Sequence, residues 1–309
     1  MENIKLTIAV AIYNIENYLP KCLESLLNQT EKNGYEILLI NDGSTDSSRK
    51  ICEEYIEKGL KAEIIDKKNG GISSVRNLSI DLAKGERILF IDGDDYIEKE
   101  TIEIIFKEME DYDLLVFGFN WVDKNKSCSD ERFKEKEIYD IKNRRLVTLI
   151  YSKEINTSLW NKVLKTSLIR ENKLFFRDYK ISEDFLFLYD YIFKIENCKK
   201  INRNLYNYVY RENSLSNIRK LEYYYWYLKV LNYYIENERK KDEIYYKYIL
   251  EEYVYLIREI RKIKEILNNK EIKHLKNKVE KDLKIRKIIF NNRIKLKMKL
   301  RYLKILFLY

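Results

Sequence analysis

Arg87-Ile88-Leu89-Phe90-Ile91-Asp92-Gly93-Asp94-Asp95 decides the fold. A short apolar run bounded by charge reads as a strand buried on both faces, the kind found mostly in parallel sheets under helices. Ligands of open α/β sheets bind outside the carboxyl ends of the strands, so the three acids mark where one is expected. Carboxylates crowded at one strand end repel each other unless a cation or a ligand's donors hold them. A divalent metal is the simplest resolution.

Upstream, the same strand-then-polar-stop pattern recurs. Leu6-Thr7-Ile8-Ala9-Val10-Ala11-Ile12 reads as a buried strand ending at Tyr13-Asn14, before a helix with Leu19, Leu23, Leu26 and Leu27 at helical spacing. Ile37-Leu38-Leu39-Ile40 ends at Asn41-Asp42-Gly43-Ser44-Thr45-Asp46, and a helix with Ile51 and Tyr55 follows. Ser44, Thr45 and Asp46 are good helix caps, though capping alone does not require Asp42. Ala62-Glu63-Ile64-Ile65-Asp66 is a short third strand. The loop after it, Asn69 to Asn77, holds two glycines, two serines and an arginine opening a helix, which suits either an anion site or a structural turn. Gly85 is a C-terminal cap candidate for that helix. Strand-helix units in this order predict a mostly parallel sheet between helices with one crevice at its carboxyl edge.

Ala11-Ile12-Tyr13-Asn14, Asn41 to Asp46, Gly70 to Asn77 and Phe90 to Asp95 together resemble a family 2 glycosyltransferase with the GT-A fold, of the bacterial surface-polysaccharide type. The resemblance implies a nucleotide-sugar site. Tyr13 and Asn14 would line the base pocket, Asp42 would accept a hydrogen bond from the base, and Arg76 would lie near the base or diphosphate. Asp92 would contact the ribose, Asp94 would bind Mg²⁺ or Mn²⁺ bridging the diphosphate, and Asp95 would help position the sugar or acceptor. Hard cations held by one or two carboxylates plus substrate phosphates suit that arrangement.

Leu114 to Phe119 reads as a further buried strand, Asn120 to Lys136 as a polar loop, and the chain as helical from Ile141. Ser158 to Leu164 again resembles a family segment, in which Trp160 would floor a sugar ring or else be a core tryptophan. In Ile181-Ser182-Glu183-Asp184-Phe185-Leu186-Phe187, acids in a first helical turn suit the helix dipole, with Ser182 as cap. The family likeness implies instead that Asp184 is the general base, with Glu183 at the acceptor. Arg211 would neutralise the departing diphosphate, and Ser214 and Ser216 would bind phosphate or acceptor. Some relatives supply a downstream histidine to the metal, and none lies here.

Composition narrows the alternatives. The only histidine, His274, sits in a Lys-rich stretch, which nearly excludes histidine clusters and the usual nucleophile triads. Cys22, Cys52, Cys128 and Cys198 follow no metal-ligand spacing, and Met1 to Lys5 runs into a strand without a signal-peptide core, so a reducing cytosol is expected. Of the formal +9, residues 258–309 carry +13, leaving a mildly acidic body of −4 with a basic tail. Three segments are expected: a catalytic domain over 1–217, a helical appendage over 218–282 and a basic amphipathic tail over 283–309. No run approaches the ~18 apolar residues of a spanning helix, and the tail's Leu296, Leu300, Leu303 and Phe307 share one helical face. That suggests an enzyme peripheral on the inner face of the cell membrane, against anionic lipid, with a solvated or partner-docking tail as the other reading.

The expectation is an inverting, metal-assisted transfer of a sugar from a nucleotide diphosphate, with UDP favoured, to a hydroxyl of a surface glycan or its lipid carrier. A catalytically silent nucleotide-sugar-binding subunit is the alternative. A nucleic-acid-binding role through the basic tail leaves the acidic sheet edge unexplained.

Overall fold

The computed structural model describes residues 4–123, 126–129, 137–140, 156–179 and 182–211, together with scattered helical residues between 230 and 256 and Asn277. Two compact units divide the chain, one of Met1–Ile150, Glu154–Tyr179 and Glu183–Asn217, the other of Tyr151–Lys153, Lys180–Ser182 and Ile218–Tyr309. In the second, buried Val230, Leu231, Ile249, Leu250 and Leu256 lie on helix. Ser214, Ser216, His274 and the tail over 283–309 lie outside the described residues. Among the described residues, no helix is long and apolar enough to cross a membrane.

The first unit alternates as expected: β1 (Leu6–Ile12), α1 (Leu19–Leu27), β2 (Tyr35–Asn41), α2 (Ser48–Glu57), β3 (Glu63–Asp66), α3 (Gly71–Leu82) and β4 (Arg87–Asp92). β1 pairs in parallel with both β2 and β4, and β2 with β3. Ile88, Leu89, Phe90 and Ile91 are buried, because helices cover the sheet and leave this inner strand no solvent face. α1 turns Leu19, Cys22, Leu23 and Leu26 inward from a polar outer face. The helix α3 ends before Gly85, whose role is different from the cap expected. A Cβ there would lie 2.4 Å from the Thr7 backbone nitrogen, so glycine lets the chain pass against β1.

Beyond β4 lie β5 (Tyr96–Ile97), α4 (Thr101–Glu108), β6 (Leu114–Asp123), β7 (Lys126–Ser129), β8 (Glu137–Asp140), β9 (Lys162–Lys165), α5 (Thr166–Glu171), α6 (Glu183–Ile192) and β10 (Asn197–Val209). The sheet order is β3-β2-β1-β4-β9-β6-β10-β5, with β7 on β6 and β8 on β10. Two expectations are corrected. Asn120 to Lys136 is not simply a loop, since Asn120–Asp123 and Lys126–Ser129 pair antiparallel. Nor is Lys162–Lys165 helical: it is a strand between β4 and β6, antiparallel to both, with Val163 and Leu164 buried. A four-residue strand carries too little periodicity to outweigh its helical surroundings in the sequence. The 13-residue β10 was hidden by its polar middle, Lys199 to Asn204.

Candidate active site

The polar stops of β1, β2 and β4 meet at one edge of the sheet. After β1, Asn14 takes a left-handed φ of 49°, which asparagine tolerates better than most residues. Its Oδ1 accepts the Thr45 N–H at 2.8 Å and its own N–H donates to Ser44 Oγ at 3.1 Å. Asp46 accepts the N–H groups of Glu16 and Ser48, both at 3.0 Å, so it closes the turn that enters α2 while joining the two loops. Ser44 and Thr45, expected as caps, hold the Asn14 turn instead. Tyr13 is thereby left 49% exposed at the edge.

Asp42 is only 3% exposed. Its carboxylate accepts the N–H groups of Gly70 and Gly71 at 2.9 and 2.8 Å, and it pairs with Lys67. These amides begin α3, where the helix dipole favours negative charge. The anion at this helix terminus is therefore the chain's own Asp42, and the Asn69-Gly70 entry to α3 is a structural turn built on it.

At the end of β4 the three acids separate by environment. Asp92 is the most open, with its N–H donating to Tyr206 Oη at 3.3 Å. Asp94 is ion-paired with Arg211, whose guanidinium also lies 5.2 Å from the Tyr18 ring centroid. Burial and then the nearby Asp92 charge push the Asp94 carboxyl up to about 6, against the pull of Arg211. Asp95 is 1% exposed, and its carboxylate accepts the Tyr206 hydroxyl and the Val209 N–H, both at 2.7 Å. Burial, then Asp94 and Asp92, hold its carboxyl well above the usual range. Asp95 was expected to help position the sugar or acceptor; its enclosed carboxylate anchors the turn to β10. Between the acids, Gly93 donates its N–H to Ala11 O at 3.0 Å, and a Cβ there would lie 2.7 Å from that oxygen.

Trp160 was open to two readings, a sugar-ring floor or a core tryptophan. At 6% exposure it stacks on Tyr206 at 4.6 Å and meets Phe119 edge-on at 4.6 Å, so its rings belong to the core behind the turn. Tyr206 is the residue sequence reasoning missed. Its only signal was the alternation Tyr206, Tyr208 towards the end of β10, continued by Tyr210 just past it.

Arg76 was expected at the base or diphosphate. It is 5% exposed on α3, donating to Glu183 Oε1 at 2.7 Å and meeting Asp92 Oδ1 at 3.4 Å, with Phe176 5.5 Å from its guanidinium carbon. Glu183, expected at the acceptor, is buried against it. Asp184 follows in the first turn of α6, where its Oδ1 accepts the Phe185 N–H at 2.7 Å. Burial, then the Glu183 charge, push the Asp184 carboxyl up to about 7, with Arg76 opposing. One guanidinium thus spans the gap between the β4 turn and the acids some ninety residues later.

The chain is similar to proteins of one kind. The sequence model described as glycosyl transferase family 2 matches residues 7–179. Glycosyltransferase GlyA of Streptococcus pneumoniae serotype 4 is 33% identical over 226 residues, covering 69% of this chain and 32% of that protein. Glycosyltransferase EpsJ of Bacillus subtilis is 32% identical over 221 residues, covering 69% of this chain and 63% of that protein. The chain thus spans between about a third and just under two thirds of these relatives' length. A crystal structure of Staphylococcus aureus TarS residues 1–349, in complex with UDP-GlcNAc, superposes with a TM-score of 0.67 at 24% identity, covering 92% of this chain and 90% of that one.

Proposed function

Because the chain belongs to glycosyl transferase family 2 and has the GT-A fold, we propose that it transfers a sugar, with inversion, from a UDP-sugar to a hydroxyl of a surface glycan or lipid-linked acceptor. The observation that carries this reading is that one buried Arg76 contacts both Asp92 and Glu183, with Asp184 next along the chain and within reach of its charge. A donor-side carboxylate and a candidate base lie within electrostatic reach of one another, and a single displacement at the anomeric carbon needs donor and base held close.

In this reading Tyr13 lines the base pocket, held by the Asn14 turn. Asp42 keeps one acceptor position for the base beyond its three protein donors, and Asp92 accepts the ribose hydroxyls. Asp184 takes the proton of the acceptor hydroxyl as its oxygen bonds to the anomeric carbon and the bond to the diphosphate breaks. A carboxyl near 7 is well matched to that task, since a base is most effective when its pKa lies near the working pH.

The donor set fits a hard cation. Asp94 lies close enough to Asp92 that the Asp92 charge raises its proton affinity, and one or two carboxylates plus phosphate oxygens are what Mg²⁺ or Mn²⁺ takes. Asp94 would hold it, and when bound it supplies charge stabilisation for the leaving diphosphate. Arg211, now on Asp94, would then turn to the diphosphate.

A thermal-shift panel of nucleotide sugars with Mg²⁺ or Mn²⁺, followed by UDP release with the stabilising donor, tests the proposal. Stabilisation by UDP-sugars and turnover support it. No donor effect with either metal would overturn it, and stabilisation without turnover would make the chain a binding subunit. Placement at a cytoplasmic membrane face through the tail is likewise proposed, with flotation on anionic liposomes as its measure.

A further inference from the structure

The family likeness puts Arg76 at the donor and Glu183 at the acceptor, yet both are buried and engaged with each other. We propose that the Arg76–Glu183 pair is a positioning link that touches neither substrate, tying the first turn of α6 to the β4 turn and so fixing Asp184 against the donor site.

The geometry has three parts. Arg76 reaches Glu183 at 2.7 Å with one terminal nitrogen and Asp92 at 3.4 Å with the other, so its fork is divided between two motifs. A lysine could not span both, since its single ammonium lacks that planar fork. The guanidinium is packed over the Phe176 ring, and Phe176 stacks on Phe187 of α6 at 4.0 Å, so the link is wedged by apolar contacts on the same helix. Asn77, one residue beyond Arg76, also donates to Phe176 O at 2.8 Å and accepts its N–H at 2.7 Å, which fixes that wedge to α3.

The charge pattern around Asp184 follows from this placement. Glu183 on its own helix and Asp92 on β4 raise its proton affinity, while Arg76 on α3 lowers it. The link therefore both places the base and sets the field it works in. The inference rests on Asp184 being that base, so one readout is chosen that needs no turnover.

The full chain labelled with ¹³C-aspartate identifies the Asp184 carboxyl signal by its loss in Asp184→Asn, and a pH titration follows its midpoint. In Glu183→Gln the amide oxygen still accepts from Arg76 while the neighbouring charge is gone. The midpoint should fall by about one pH unit, with UDP affinity within about tenfold of wild type. A midpoint within about half a unit of wild type, or a larger loss of UDP binding, overturns the link. In Glu183→Ala the anchor goes as well. With a donor the wild type turns over, the plateau rate at high pH should survive in the Gln variant and drop about tenfold or more in the Ala variant. Equal plateaus would also overturn the link. If the wild type turns over no donor, the proposed transfer fails while the titration still decides the link.

Discussion

Asp184 should make this protein's rate and its stability respond to pH in opposite directions. With its carboxyl near 7, the base form is lost as pH falls through that value. About a tenth is ionised at pH 6 and about nine tenths at pH 8, so the transfer rate should rise about tenfold between them. An aspartate at the ordinary ~3.9 would leave it flat. The same group costs stability. Its folded value lies above the unfolded one, so the folded state binds the proton more tightly. Stability from this group is therefore complete below pH ~4 and is lost as pH rises towards 7. Taking 1.36 kcal/mol per pH unit between ~3.9 and about 7, the loss approaches ~4 kcal/mol at pH 8 and stays under ~2 kcal/mol at pH 5. Asp184→Asn removes a group that must be ionised to work and is costly to bury when ionised. Urea unfolding of both proteins at pH 5 and pH 8 should show the variant gaining more at pH 8, while UDP release shows it inactive. A gain equal at both pH values, or a wild-type rate that is flat from pH 6 to 8, would refute the reasoning.

Other perturbations follow from the turn at the end of β4. Tyr206→Phe keeps the stack on Trp160 but removes the hydroxyl that Asp95 accepts, so urea midpoints should report a loss of about 1–3 kcal/mol. Gly93→Ala sets a methyl against Ala11 O. It should cost about 1–3 kcal/mol in the same assay and weaken UDP binding, because the aspartates on either side must move. Arg211→Gln strips the ion-pair partner from the largely buried Asp94, so it should cost about 1–3 kcal/mol in the same assay and slow UDP release from the donor. An unchanged release rate would remove Arg211 from the diphosphate.

Much of the first hundred residues was legible because their chemistry is local. An apolar run such as Ile88 to Ile91 can only be buried, and the polar stops at Asn14, Asp42 and Asp92 coincide with strand ends. The second half was less legible. β9 is short and β10 is polar in its middle, so pairing partners far along the chain, rather than their own pattern, make them strands.

For the site, the sequence by itself determined which residue types gather at the sheet edge: carboxylates, an asparagine turn, an arginine opening a helix. Only the tertiary structure decided what each one faces. Asp94 and Asp95 are adjacent, yet one meets Arg211 and the other is enclosed by Tyr206 and Val209, over a hundred residues away. Arg76 meets Glu183 across 107 residues. Strand and helix follow from neighbours along the chain, whereas a carboxylate's proton affinity and its access to a ligand follow from neighbours in space. No local pattern encodes those.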